Sequence, residues 1–297
     1  MKILFFIALF AWVQTVEGAP RTRELFDFNW KFFRGETQNA QAPEFKDEDW
    51  RGVNLPHDWS IERLPGSPSL FNQKLDQGEG CLPGGIGWYR KTFTVPATAK
   101  GKRFFIEFEG VFMQSEIWLN GKHLGTHPYG YTSFEIELTD FIKCGAMNVL
   151  AVRCHVEQPC SRWYTGAGIY RHVWLTTTEP VHVAHWGVTI TTPEIGKEKA
   201  QVHVMTQIVN QSYAPADLEL RTTLFDPTGN KITTATATPK NNGTAIETRI
   251  NQSFEVKSPA LWSLEKPLLY TALTEVMIQG KITDRIRTPF GLSLIHI

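Results

Sequence analysis

The stretch 115-SEIWLNGKHLGTH-127 restricts the fold of this chain more than any other. Asn120-Gly121 stands between two runs of strand-forming residues. A two-residue connection of that composition requires positive φ at both positions, the signature of a type I′ hairpin turn. Bulky runs of the same character recur: 103-RFFIEFEG-110, 147-MNVLAVRCHV-156 and 171-RHVWLTTT-178, after which Glu179-Pro180 interrupts the pattern. Beyond that point the candidate strands are less aromatic and richer in Thr: 181–191, 201–210, 218–226, 245–256 and 268–278. Turn residues separate them at Pro227-Thr228-Gly229-Asn230, Asn241-Asn242-Gly243 and Pro267. About seven strands over roughly 110 residues fit an immunoglobulin-like sandwich. Strands do not alternate with helical patterns, which argues against a doubly wound α/β fold.

The expected architecture is all-β: a jelly-roll β-sandwich over 19–180, followed by an immunoglobulin-like β-sandwich over 181–288. Two domains also suit the 297-residue length. The first residues read differently. Lys2, the apolar run Ile3–Val13 and the exit Val16-Glu17-Gly18 have the order of a signal peptide, so 1–18 are set apart from the fold and the protein is expected to be secreted or periplasmic. The apolar run is too short to span a bilayer as a helix. With 30 Lys+Arg against 30 Asp+Glu the net charge is zero, without the basic excess that nucleic-acid binding demands.

Residues that carry chemistry offer few constellations. Asp47-Glu48-Asp49 reads as solvated charge in a polar loop. Glu135 and Glu137 alternate with Phe134, Ile136 and Leu138, as on the wet face of a strand. His182 and His185 fall on opposite faces if the strand runs regularly, and His123 and His127 flank a hairpin end. Cys81, Cys144, Cys154 and Cys160 match no zinc spacing, and their pairing stays open. Two loops stand out: 55-LPHDWSIE-62, with the polar pair His57-Asp58 between Pro56 and Trp59, and the glycine-rich 78-GEGCLPGGIGWYRKTF-93. Trp59 and Trp88 serve equally well as plugs for the sandwich ends. The aromatic stretch 158-QPCSRWYTGAGIYRHVWL-175 suits either packing or a sugar platform, because a ring beside donor groups matches the alternating C–H faces and hydroxyl edges of sugars.

Four motifs in order, LPHDWSIE, GIGWYRKTF, FEGVFMQSEIWLNGKHLGTHPYGYTSFEIELTDFI and SRWYTGAGIYRHVWL, resemble the N-terminal part of glycoside hydrolase family 2, in its secreted β-galactosidase-like branch. The resemblance runs from about Leu25 to Gly291. It implies a sugar-binding, galactose-binding-like jelly-roll, an immunoglobulin-like domain and then a (β/α)8 barrel that carries the two catalytic glutamates, one an acid/base and the other a nucleophile acting with retention. The tail 289-PFGLSLIHI-297 is then the truncated start of the link to that barrel. This chain alone is expected to hold no catalytic residue, cofactor or metal, and its partners are a β-glycoside and its own barrel. The resemblance further implies that a jelly-roll loop helps shape the sugar subsite. Arg162 is the leading candidate there, then Tyr164 and Trp163, with His57 and Asp58 from the second loop; many relatives carry Asn at the position of Cys160. Arg171 is expected to hold a corner by bonding backbone carbonyls. A free-standing carbohydrate-binding protein and a ligand-free structural pair of sandwiches remain as other readings. Galactoside, glucuronide and mannoside are not separated, since barrel residues make that choice.

Overall fold

The computed structural model describes residues 20–62, 82–158, 160, 165–239 and 246–294. The described residues hold strands and two single-turn 3-10 helices, without an α-helix. Ten strands come first: β1 (Thr22–Leu25), β2 (Trp30–Arg34), β3 (Arg51–Val53), β4 (Gly85–Thr94), β5 (Arg103–Phe108), β6 (Ser115–Leu119), β7 (Lys122–His127), β8 (Phe134–Glu137), β9 (Met147–Val156) and β10 (Val173–Thr178). They form a four-stranded sheet, β1-β10-β5-β8, and a six-stranded sheet, β3-β2-β4-β9-β6-β7.

The facing sides of these two sheets enclose one core around Trp30, Trp59, Tyr89, Phe104, Phe108 and Ile117. Each such large apolar side chain, fully withdrawn from water, contributes about 1.5–3 kcal/mol. Strand β9 reads as an almost continuous apolar run because both of its faces are covered. Its inner side chains enter the main core, while Ala151 on the outer face packs under Ala40, Trp50 and Trp88. The cover is the 36–49 segment, held by the buried Arg90. That guanidinium bonds Asp47 at 2.8 Å and the carbonyls of Ala40, Ala42 and Phe45. Asp47 is therefore not the solvated charge expected of it, because a buried cation requires its carboxylate. In the β6–β7 hairpin Leu119 pairs with Lys122, and Asn120 and Gly121 take φ of 52° and 81°, the two positive values that the Asn-Gly sequence predicts.

Seven strands follow: β11 (Val181–Ile195), β12 (Lys199–Asn210), β13 (Leu218–Phe225), β14 (Lys231–Ala237), β15 (Glu247–Lys257), β16 (Tyr270–Ile278) and β17 (Lys281–Phe290). They make a three-stranded sheet, β11-β12-β15, against a four-stranded one, β14-β13-β16-β17. Strand β15 alternates strictly, burying Thr248, Ile250, Gln252, Phe254 and Val256 and exposing the residues between them. Such period-two burial is what one wet and one packed face produce.

The two sandwiches are joined by charged contacts. Arg21, just before β1, grips the fully buried Asp284 of β17 with bonds of 2.9 and 2.8 Å and also bonds the Val183 carbonyl at 2.6 Å. The Val183 amide donates to Asp284 at 2.7 Å, which leaves this carboxylate well satisfied. Glu135 of β8 faces the second sandwich and meets His185 at 3.0 Å. The wet-face reading of Glu135 thus fails, because the exposed side of β8 is where the next sandwich docks. The face assignment for His182 and His185 fails as well. Between Val183 and Val188 the β11–β12 register breaks, so alternation does not carry across it.

Candidate functional site

Loop 55–62 crosses one end of the first sandwich, and its geometry follows from Asp58. The Asp58 side chain caps the 3-10 turn Trp59–Ile61. Its Oδ1 accepts from the Ser60 amide at 2.8 Å and hydroxyl at 2.6 Å, and from the Ala167 amide at 2.9 Å. Backbone bonds continue the seam: His57 N to Ile169 O at 2.8 Å, and Trp59 N to Ala167 O at 3.2 Å. The loop 165–169 is therefore stitched to 57–59 residue against residue. Glycine is required twice along this seam. A Cβ on Gly166 would lie 2.7 Å from Asp58 Oδ2, and one on Gly168 (φ +106°) would lie 2.1 Å from the Tyr89 hydroxyl.

Beneath the seam lies a polar network. The buried imidazole of His57 meets the Tyr89 hydroxyl at 2.7 Å through Nδ1, and Glu62 at 3.1 Å through Nε2. Arg51 clasps both Glu62 oxygens at 2.8 Å. Arg51 also lies 3.0 Å from Nε2, so a neutral ring is satisfied in either tautomer: Nε2–H donating to Glu62 while Nδ1 accepts from the tyrosine, or Nε2 accepting from Arg51 while Nδ1–H donates to the tyrosine oxygen. Burial pushes the His57 pKa below its usual value, with Glu62 opposing in part. Burial also raises that of Tyr89 well above the phenol range, so the hydroxyl stays protonated.

The sequence candidates thus divide. His57 and Asp58 come together at the rim, but both are committed inward: Asp58 to three protein donors, His57 to Tyr89 and Glu62. Arg162, Trp163 and Tyr164 lie outside the described residues, in the segment that leads into the stitched loop. Trp59 is fully buried in the main core against Phe32 and Tyr89, as a plug would be, whereas Trp88 lies in the separate outer cluster with Ala40, Trp50 and Ala151 and does not plug an end. Arg171 differs from expectation. Its side chain is 58% exposed and points to Glu109 at 3.9 Å rather than to backbone carbonyls. Tyr89, Arg51 and Glu62 complete the network. Glu62 falls within the loop 55–62 that the sequence singled out, but the partners of Tyr89 and Arg51 arise only when β3, β4 and the loop converge. Cys144, Cys154 and Cys160 are free thiols. Among the described residues no group of three His, Cys, Asp or Glu is placed to hold a metal ion.

A ten-stranded sandwich whose end carries two stitched loops, followed in series by a seven-stranded sandwich, defines the class: a two-sandwich scaffold with a loop-built rim. Its membership is specific. Residues 27–179 match the sugar binding domain of glycosyl hydrolases family 2, and residues 181–292 match the glycosyl hydrolases family 2 model itself, so the chain belongs to glycosyl hydrolases family 2. A β-galactosidase of Bacteroides ovatus is 44% identical over 278 residues, covering 92% of this chain and 32% of that protein. A putative β-glucuronidase of Formosa agariphila is 35% identical over 278 residues, covering 93% of this chain and 26% of its own length. The solved structure of a family 2 member from Bacteroides cellulosilyticus, 36% identical, superposes with a TM-score of 0.87 over 91% of this chain and 35% of that one. The chain thus spans about a third of the length of such relatives.

Proposed function

We propose that this chain supplies the sugar-subsite wall and the scaffold of an exported, retaining β-glycosidase that acts on β-galactosides. The observation that carries the reading is the stitched rim. Loop 165–169 is fixed to 57–59 by Asp58 within a domain matched as sugar binding, and the 44% identity to a β-galactosidase extends across both sandwiches. In this reading Arg162, Trp163 and Tyr164 touch the sugar. His57 and Asp58 hold the loop that presents them and act as positioning residues. Hydrolysis would rest on two glutamates of a barrel, one protonating the leaving oxygen and the other forming the glycosyl-enzyme. Both described carboxylates of the rim are already engaged, Asp58 by amides and Glu62 by Arg51 and His57, so residues 1–297 alone are inactive in this proposal.

Incubation of the purified chain with nitrophenyl β-galactoside and β-glucuronide tests this. No release of nitrophenol is expected from either. Release that tracks the purified protein and survives removal of contaminating hydrolase would overturn it. Export is tested by sequencing the N-terminus of the protein recovered outside the cytoplasm, expected to begin near Ala19. A second reading, β-glucuronidase, is favoured by the 35% identical relative; preferential binding of a hexuronide over a galactoside at the rim would select it.

A further inference from the structure

The register break in β11 leaves four residues, Ala184 to Gly187, opposite the single Gln207 of β12. Gly187 is obligatory there, since a Cβ would lie 2.8 Å from the carbonyl oxygens of both Ala184 and Gln207. The bulge throws Trp186 outward, 72% exposed and at φ 49°, a conformation rarely held by a bulky L-residue. Bulges that re-aim a side chain, and backbone outliers that persist, concentrate at functional places.

The ring is also held in position. The His185 imidazole stacks on it with centroids 4.6 Å apart, and Glu135 of the first sandwich fixes His185 at 3.0 Å. Trp186 stands over a groove of about 540 Å³ at the junction of the sandwiches, lined also by Arg23, Glu107, Glu135, Thr176 and His185. That volume lies within the range of small-molecule sites. Arg23 bonds Glu107 at 2.8 Å and lies 4.0 Å over Trp174, so its guanidinium is fixed at the groove wall. Arg21 lines the groove as well, and each cation of the wall is already held by a carboxylate: Arg21 by the buried Asp284, Arg23 by Glu107 and His185 by Glu135.

We propose that this groove is a second sugar position, distinct from the rim, that takes a neutral hexopyranoside. A pyranose ring would lay its C–H face on the open side of Trp186, while its equatorial hydroxyls meet the paired guanidinium and carboxylates, which together offer donors and acceptors. A hexuronide could pair its carboxylate only by drawing Arg21 or Arg23 away from Asp284 or Glu107, which would then be left without their cation. The inference borrows only the ligand class from the proposed function and not the rim residues.

The test uses the 297-residue chain with labelled indole groups, titrated with methyl β-galactoside and with methyl β-glucuronide. The Trp186 indole signal, assigned by its loss in Trp186→Ala, is expected to shift and saturate with the galactoside. Affinity at that site should fall about tenfold or more for the glucuronide, and calorimetry, which needs no indole signal, should show that this binding is lost in Trp186→Ala. The double variant Arg162→Ala/Tyr164→Ala should leave the Trp186 titration unchanged, so failure of the rim reading would show separately. A Trp186 signal untouched by either sugar, as for a groove that instead receives another folded domain, overturns the proposal. So does a shift lost only in the rim double variant.

Discussion

Asp58 makes three short hydrogen bonds with one carboxylate oxygen, and two loops depend on them. Asp58→Ala leaves two amides without their acceptor and is expected to cost about 1–3 kcal/mol in urea unfolding, whereas Asp58→Asn, which keeps an oxygen acceptor, should cost less. Equal losses for the two variants would contradict the capping role. Gly168→Ala meets both a positive φ and the Tyr89 hydroxyl, and should destabilise by about 2–4 kcal/mol or prevent folding. His57 sets a pH dependence. Its unfolded ring takes up a proton near pH 6.5, and burial holds the folded pKa below that. Between the two values the unfolded state binds more protons, so stability is complete above about pH 6.5 and falls as pH is lowered through that window. Calorimetric melting from pH 7.5 to 5 is expected to show this slope in the wild type and a shallower one in His57→Gln. Identical slopes would assign the dependence to other groups.

At the scale of elements, strand propensity and turn chemistry made much of the fold legible. The hairpin 115–127, the central strand 147–156 and the alternating strands of the second sandwich follow from local pattern, because each ends in a turn of defined φ, is covered on both faces and so reads as a continuous apolar run, or buries one regular face. What stayed hidden depends on partners far along the chain. The short β1 and β2 gain their place by pairing with β10 and β4, and β3 only by pairing with β2, while β14 and β17 look polar because they lie at sheet edges with few buried positions. The role of Asp47 could not be read from its acidic neighbours, since its partner Arg90 sits 43 residues away on β4. Removing that carboxylate by Asp47→Ala leaves the guanidinium with carbonyls alone, an expected loss of about 2–4 kcal/mol. Limited proteolysis should then cut within 36–49 earlier than in the wild type. Unchanged protection would mean that Trp50 and Ala40 hold the segment unaided.

For the whole molecule, the junction decides whether the sandwiches behave as one unit. Asp284 is fully buried with Arg21 and the Val183 amide, so Asp284→Ala is expected to split the single melting transition into two or broaden it visibly. His185 acts with the opposite sign to His57. The hydrogen bond to Glu135 raises its pKa, so its contribution is complete below about pH 6.5 and is lost as pH rises through the folded value. Glu135→Gln should remove that alkaline loss.

The rim was legible as a motif but not as a geometry, because the spacing of LPHDWSIE and TGAGIY says nothing of Asp58 reaching the Ala167 amide across 109 residues. The central claim is that this rim positions sugar-contact residues on a chain that does no chemistry itself. Titrating the labelled 297-residue chain with methyl β-galactoside, while following the amides of Ser60 and of residues 165–169, tests it most directly. The account predicts saturable shifts at these amides, unchanged ligand throughout, and about tenfold weaker binding in Arg162→Ala/Tyr164→Ala. Rim amides that stay silent at every ligand concentration, or a double variant that binds as the wild type does, would contradict it.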